Sequence, residues 1–131
     1  MAEIFDTFEH FNEVYTMMNI ACDDGSTNVK LAWIENGEIK THVSQNAFRE
    51  GWATRLAFGG KTIYNYLIDG RKFTHDIGAT SAITTTHTSF QFDAVSRVAI
   101  HHALLTSGLE PQDVELTVTL PVAMFFTSDA Q

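Results

Sequence analysis

The chain has 131 residues, of which 44% are hydrophobic and only two are proline. This composition is typical of one folded domain with a buried core, and it excludes an intrinsically disordered protein. The formal charge is −8, so we expect no direct binding to a nucleic-acid backbone; contact with DNA would need another protein. Cys22 is the single cysteine, and we find neither a secretory signal nor a run of about twenty apolar residues. We therefore expect a cytoplasmic protein without a membrane role.

The first segment, residues 2–16, carries Ile4, Phe8, Phe11 and Tyr15 at steps of three and four residues. This spacing predicts a short amphipathic helix. The pattern changes after Met17 and Met18, so we expect residues 1–17 to be an N-terminal extension and residues 18–131 to form the main unit. A natural start of translation at these methionines is an open alternative.

Three strands are predicted next, at residues 19–22, 29–35 and 38–44. The polar residues 23–26 favour a turn between the first two strands. Asn36 and Gly37 separate the second and third strands, and this pair is typical of a type I′ hairpin turn, which needs positive φ at both central positions. The pattern therefore indicates three consecutive antiparallel strands.

A second hairpin is predicted at residues 61–68 and 71–75, around the pair Asp69 and Gly70. We interpret it as an excursion from the main sheet, reached through an irregular stretch at residues 45–60. The segment rich in threonine and serine at residues 80–89 is predicted to be a loop or an edge strand.

The clearest helix is predicted at residues 93–107, with Gly108 at the position that follows a helix end. Its expected apolar stripe consists of Val95, Val98, Ala99, His102, Ala103 and Leu105. Apolar and polar residues then alternate from Val114 to Leu120, which predicts a strand that stops at Pro121. This order favours an α/β fold of the ribonuclease H-like type, in which a mixed sheet brings the last strand parallel to the first through a helical crossover.

The turn after the first strand has the residues that a phosphate site needs. A glycine allows close backbone approach, the next three residues offer donors, a lysine adds positive charge, and an aspartate could hold a hydrated Mg²⁺. These residues are, in that order, Gly25, Ser26, Thr27, Asn28, Lys30 and Asp23. Spacing alone favours the simpler interpretation of an ordinary hairpin turn, because residues 23–27 are all favoured turn formers.

A family resemblance favours the phosphate interpretation. Residues 23–30, 36–44, 63–66 and 119–121 resemble, in order and spacing, the ParM/StbA family of plasmid-segregation actins. The stretch His-His-Ala-Leu-Leu-Thr-Ser-Gly, within residues 98–109, is the most family-specific segment. The similarity extends from about residue 18 to residue 126.

The resemblance implies an actin-like ATPase lobe that binds ATP or GTP with Mg²⁺ in a cleft between two lobes. It also implies filaments that assemble with nucleotide and separate plasmid copies through an adaptor protein bound to a centromere-like DNA site. By match to the family, Asp23 would face the metal and Lys30 would neutralise the phosphates. The residues that wrap the β- and γ-phosphates would be Gly25, Ser26, Thr27 and Asn28.

The resemblance also implies that the second phosphate loop, the adenine-binding loop and the residue that positions water lie beyond Gln131. Because phosphoryl transfer depends on positioning and charge neutralisation from both sides, we expect this truncated lobe alone not to hydrolyse nucleotide, and we assign it no catalytic residue.

Three alternatives differ in function class. A non-catalytic fragment could modulate the filaments of an intact homologue. A ribonuclease H-like nuclease would need several carboxylates around two metal ions, and the predicted last strand ends without an acid. A sugar-kinase or chaperone-type ATPase could share the turn, but the segments outside the turn disfavour it.

Overall fold

A computed structural model describes residues 17–53, 63–77 and 94–120. The predicted helix at residues 2–16, the predicted segment at residues 80–89 and the first two residues of the predicted second hairpin lie outside the described residues. The described elements are, in chain order, β1 (Met18–Asp24), β2 (Asn28–Glu35), β3 (Glu38–Gln45), β4 (Phe48–Glu50), β5 (Tyr64–Ile68), β6 (Arg71–His75), α1 (Ala94–Thr106) and β7 (Val114–Val118).

The main sheet has four strands in the order β3-β2-β1-β7. β1 pairs antiparallel with β2 and parallel with β7, and β2 pairs antiparallel with β3. At the β2–β3 turn, Asn36 and Gly37 have φ values of 52° and 78°, as the Asn-Gly pair predicted. The predicted mixed α/β sheet, with its last strand parallel to its first, is therefore confirmed.

A second sheet of three strands has the order β4-β6-β5. The predicted excursion is confirmed for β5 and β6, and the turn residues Asp69 and Gly70 have φ values of 51° and 75°. β4 lies within the stretch that we interpreted as irregular, and that interpretation is wrong for these three residues. Phe48 is only 1% exposed and pairs with His75 of β6. Burial and pairing with β6 therefore stabilise this strand, and three residues are too few to show a strand pattern in the sequence.

The predicted helix is confirmed over residues 94–106, its predicted first residue lies outside the described residues, and Gly108 after it has a φ of 85°. Val95, Val98 and Ala99 are buried, as predicted, but the prediction for Leu105 is wrong because its side chain is 65% exposed. Leu105 follows the buried Val98 by seven residues and so lies only about 20° from it around the helix. Its exposure therefore reflects its place in the last turn of α1 rather than its angular position.

The core lies between α1 and one face of the main sheet. Alternation along β1 places Ile20 and Cys22 on this face. The opposite face of the sheet is open to solvent: Ile34 and Ile39 are 69% and 77% exposed, and they line a shallow depression with Ala21. No helix in the described parts of the chain has the length and apolar character that a membrane span needs.

His102 connects α1 to the second sheet. Its side chain is 3% exposed, its ring stacks on that of His75 with 3.9 Å between centroids, and its Nδ1 lies 2.5 Å from the hydroxyl of Tyr66. Burial, and then the nearby His75 and His42, lower the pKa of His102 from 6.5 to about 4. A buried aromatic cluster built around a neutral imidazole therefore joins the helix to the excursion.

The buried imidazole predicts a loss of stability in acid. The unfolded chain binds a proton at His102 near pH 6.5, whereas the folded chain binds it only near pH 4. The contribution of neutral His102 to the free energy of unfolding is therefore complete above pH 6.5 and is lost as pH falls towards 4. We expect the free energy of unfolding to fall by about 2–3 kcal/mol between pH 6.5 and 4.5 through this group, measured by urea denaturation.

The matched variants are His102→Gln and, as a control, His101→Gln at the exposed neighbouring position. We expect the first variant to lose this part of the pH dependence and the second to keep it. Other titrating groups are common to all three proteins, so their contributions cancel in the comparison. Equal pH profiles for wild type and His102→Gln would contradict the assignment.

Candidate functional site

The sequence-predicted site residues lie at or near one edge of the main sheet. β1 and β7 are parallel and end together there, and the amide of Thr119 donates to the carbonyl of Cys22 at 3.0 Å. The turn between β1 and β2 lies at the same edge, and Ser96 reaches it from the first described turn of α1. In open α/β sheets, ligands bind outside the carboxyl ends of the strands, so this edge is the candidate site.

The two carboxylates at the end of β1 have different surroundings because consecutive strand residues face opposite sides of a sheet. Asp23 lies on the open side with 55% of its side chain exposed. Its Oδ1 accepts a hydrogen bond from the hydroxyl of Thr119 at 2.9 Å, and its Oδ2 lies 4.0 Å from Nζ of Lys30. Asp23 is therefore an oriented carboxylate that remains accessible to a hydrated cation.

Asp24 faces the core and is 6% exposed. The hydroxyl of Ser96 donates to Oδ2 of Asp24 at 2.5 Å. Burial raises the pKa of Asp24 above 3.8, the bond from Ser96 opposes that rise, and the charge of Asp23 adds to it. Asp24 thus connects the strand end to the helix. Since the two carboxylates face opposite sides, they do not converge as a two-metal nuclease site requires.

The β1–β2 turn, residues 25–28, is closed by a hydrogen bond from the amide of Gly25 to the carbonyl of Asn28 at 3.0 Å. A Cβ at Gly25 would lie 2.9 Å from that carbonyl oxygen, so glycine is required here by lack of space. Ser26 and Thr27 are exposed, and Nδ2 of Asn28 donates to Oγ1 of Thr27 at 3.0 Å. The turn is therefore a tight, polar and largely accessible part of the backbone.

Lys30 lies on β2 directly across from Asp23, on the open side of the sheet. The structure thus places Lys30, the residue predicted to neutralise the phosphates, beside Asp23, the predicted metal ligand. Among the described residues, no group of three or more histidine, cysteine, aspartate or glutamate side chains could hold a metal together. Mg²⁺ fits this arrangement because it retains most of its waters and needs only one or two carboxylates, here the exposed Asp23.

Sequence reasoning missed three residues that support this edge. Ser96 and Thr119 bind the two aspartates, and Asn46 binds the turn with its backbone and its side chain. Alternation along β1 places Asp24 on the same face as the apolar Cys22, which could have indicated a buried carboxylate in need of a donor. No local pattern marks Asn46, because its partners are about twenty residues earlier in the chain.

The family is shown by comparison with known proteins. A family model described as plasmid segregation protein ParM, N-terminal, matches residues 18–131. The chain belongs to this family. The resemblance is thereby confirmed, and the mixed sheet with its helix is the α/β arrangement of an actin-like lobe. No curated protein shows significant similarity to the chain. Residues 18–131 accordingly correspond to the N-terminal domain of a ParM-like plasmid segregation protein.

The contact between Ser96 and Asp24 predicts a stability effect. We expect Ser96→Ala to lower the free energy of unfolding by about 1–3 kcal/mol at neutral pH, because a buried carboxylate loses a donor. The difference in stability between Ser96→Ala and the wild type should become smaller as pH falls through the raised pKa of Asp24, because the protonated carboxyl no longer carries a buried charge. Urea denaturation at several pH values measures this effect.

The control is a double-mutant cycle with Asp24→Asn. If the hydrogen bond accounts for the effect, Ser96→Ala should cost less in the Asp24→Asn background than in the wild type. Additive losses would instead indicate that the two side chains act independently.

Proposed function

We propose that this chain supplies the first phosphate-binding part of a magnesium-nucleotide site in a filament-forming plasmid segregation protein. Family membership supports the proposal. The observation that carries it is the convergence at one sheet edge of the tight β1–β2 turn and the accessible carboxylate of Asp23. Residues 18–131 would form the lobe, with residues 1–17 as an extension outside it.

In this proposal the residues divide the work by their positions. The β1–β2 turn binds the β- and γ-phosphates of ATP or GTP through the groups of Gly25, Ser26, Thr27 and Asn28. Asp23 would hold the hydrated Mg²⁺, which would offset the negative charge of the phosphates. Lys30 lies beside Asp23 and adds positive charge on the same side of the sheet.

Hydrolysis is not assigned to this chain alone. The described edge offers a binding turn and one accessible carboxylate, which position a phosphate from one side. Phosphoryl transfer needs in-line positioning of the attacking group and charge neutralisation around the transferred phosphate. We propose that the remaining groups come from the second half of an actin-like cleft.

We further propose that the protein acts in the cytoplasm with copies of itself and with an adaptor that binds a centromere-like DNA site. The formal charge of −8 supports indirect contact with DNA, because a phosphate backbone would be repelled. The exposed Ile34 and Ile39 on the open sheet face favour a second candidate function, in which the chain only binds and modulates filaments of an intact homologue. Substoichiometric inhibition of polymerisation by the added chain would support that candidate.

Titration of the 131-residue chain with ATP and GTP, with Mg²⁺ or with EDTA, tests the proposed site by calorimetry. We expect binding in Mg²⁺ that Asp23→Asn weakens by roughly 10- to 100-fold, because a charge-assisted contact to the hydrated cation is lost. In EDTA the same variant should bind at least as well as the wild type, since a negative charge near the phosphates has been removed.

The matched control is Asp113→Asn, an exposed carboxylate just before β7, at the opposite end of the sheet. It should leave binding unchanged in both conditions. Wild-type protein that binds neither nucleotide would contradict the proposed function. Equal weakening by both aspartate variants would show that the loss reflects overall charge and would remove Asp23 from the site.

A further inference from the structure

Asn46 lies between β3 and β4 and contacts the β1–β2 turn twice. Its backbone amide donates to the carbonyl of Thr27 at 2.8 Å, and its side-chain Nδ2 donates to the carbonyl of Gly25 at 2.8 Å. The two accepting carbonyls lie on either side of Ser26. One residue, about twenty positions away in sequence, therefore holds the peptide groups at both ends of the central part of the turn.

We propose that Asn46 is a positioning residue that orients the β1–β2 turn for phosphate; this inference rests on the proposed nucleotide site. In a trans peptide the C=O and N–H groups point in opposite directions, and none of the described peptide bonds is cis. Binding the carbonyls of Gly25 and Thr27 therefore directs the amides of Ser26 and Asn28 away from Asn46. Turn amides aimed to one side in this way are the donors of an anion-binding concavity.

The chemistry of asparagine suits this position. The side chain must donate to a carbonyl from a short stem while its own backbone amide serves a second carbonyl. Aspartate has the same shape and offers no donor when ionised, and alanine has no polar atom. Nδ2 rather than Oδ1 must face Gly25, since two acceptor oxygens would repel each other.

The residues beside Asn46 are held by the second sheet. Nε2 of His75 lies 3.0 Å from the carbonyl of Gln45, and the amide of Asp76 donates to the carbonyl of Ala47 at 2.8 Å. The backbone on both sides of Asn46 is thus fixed from the end of β6. This support explains how a residue in a short connection can hold the turn in one geometry.

The experiment compares Asn46→Ala and Asn46→Asp with Asn65→Ala as the matched control. The side chain of Asn65 bonds to both backbone groups of Ala53 at 3.2 Å, and its Oδ1 also accepts a hydrogen bond from the hydroxyl of Thr74 at 2.7 Å, all at the second sheet. All three variants lose side-chain bonds to backbone, and the Asn46 variants keep the backbone bond to Thr27. Circular dichroism confirms folding, and if Asn46→Ala does not fold, Asn46→Ser, which is uncharged and has too short a side chain for the bond to Gly25, carries the comparison.

The first measurement needs no nucleotide. Hydrogen exchange of the Gly25 amide, which closes the turn on Asn28, should be roughly 2- to 10-fold faster in both Asn46 variants and unchanged in Asn65→Ala. The second measurement is the affinity for Mg-ATP. It should fall by roughly 2- to 10-fold in Asn46→Ala, fall further in Asn46→Asp because of its charge, and stay unchanged in Asn65→Ala.

The outcomes separate this inference from the proposed function. Wild-type protein that binds Mg-ATP, with an Asn46→Ala variant equal to it in affinity and in Gly25 exchange, overturns the role of Asn46 and leaves the site intact. A change of the same size in Gly25 exchange and Mg-ATP affinity in Asn65→Ala also overturns the role of Asn46, because loss of any such asparagine would then have the same effect. Wild-type protein that does not bind Mg-ATP overturns the proposed site and, with it, the phosphate role of Asn46.

Discussion

Two neighbouring parallel strands end at the same edge of a sheet, and in this chain those strands are β1 and β7. Their pairing requires the chain to cross from one end of the sheet to the other, and α1 covers one face of the sheet on that path. As a result, the end of β1, the residue after β7 and the early part of α1 meet at one place. The contacts of Thr119 and Ser96 with the two aspartates depend on this arrangement.

The side-to-side alternation of β1 then gives its two final carboxylates different tasks. Asp24 faces the core, where Ser96 supplies a hydrogen bond and burial raises the pKa. Asp23 faces solvent, where Thr119 orients it and Lys30 lies nearby. A buried carboxyl therefore attaches the strand end to the helix, while its neighbour stays accessible for the cation that we propose.

The second sheet has a structural role at this edge in addition to its own packing. His75, at the end of β6, stacks on the buried His102 of α1 and also contacts the carbonyl of Gln45. The same sheet end holds Ala47 through Asp76. The excursion thus connects the helix to the segment that carries Asn46. A part of the fold that contributes no direct ligand still influences the geometry of the turn.

Signals between neighbouring residues were enough to predict the local features of this protein. Two-residue periodicity and the pairs Asn36-Gly37 and Asp69-Gly70 predicted the hairpins, and helical periodicity with Gly108 predicted α1, because these signals depend on neighbouring residues alone. The family resemblance identified the turn and Asp23 as candidates. The short strand β4 and the exposure of Leu105 were not predicted, because both depend on packing against other elements.

The side chains that support the site could not be identified before the strands and the helix were seen packed together. Ser96 is 72 positions from Asp24, and Thr119 is 96 positions from Asp23. No local pattern records such distances along the chain, because strand pairing and helix packing bring these residues together. The alternation of β1 already predicts that Asp23 and Asp24 face opposite sides of the sheet. The fold determines that Thr119 contacts the first and Ser96 the second.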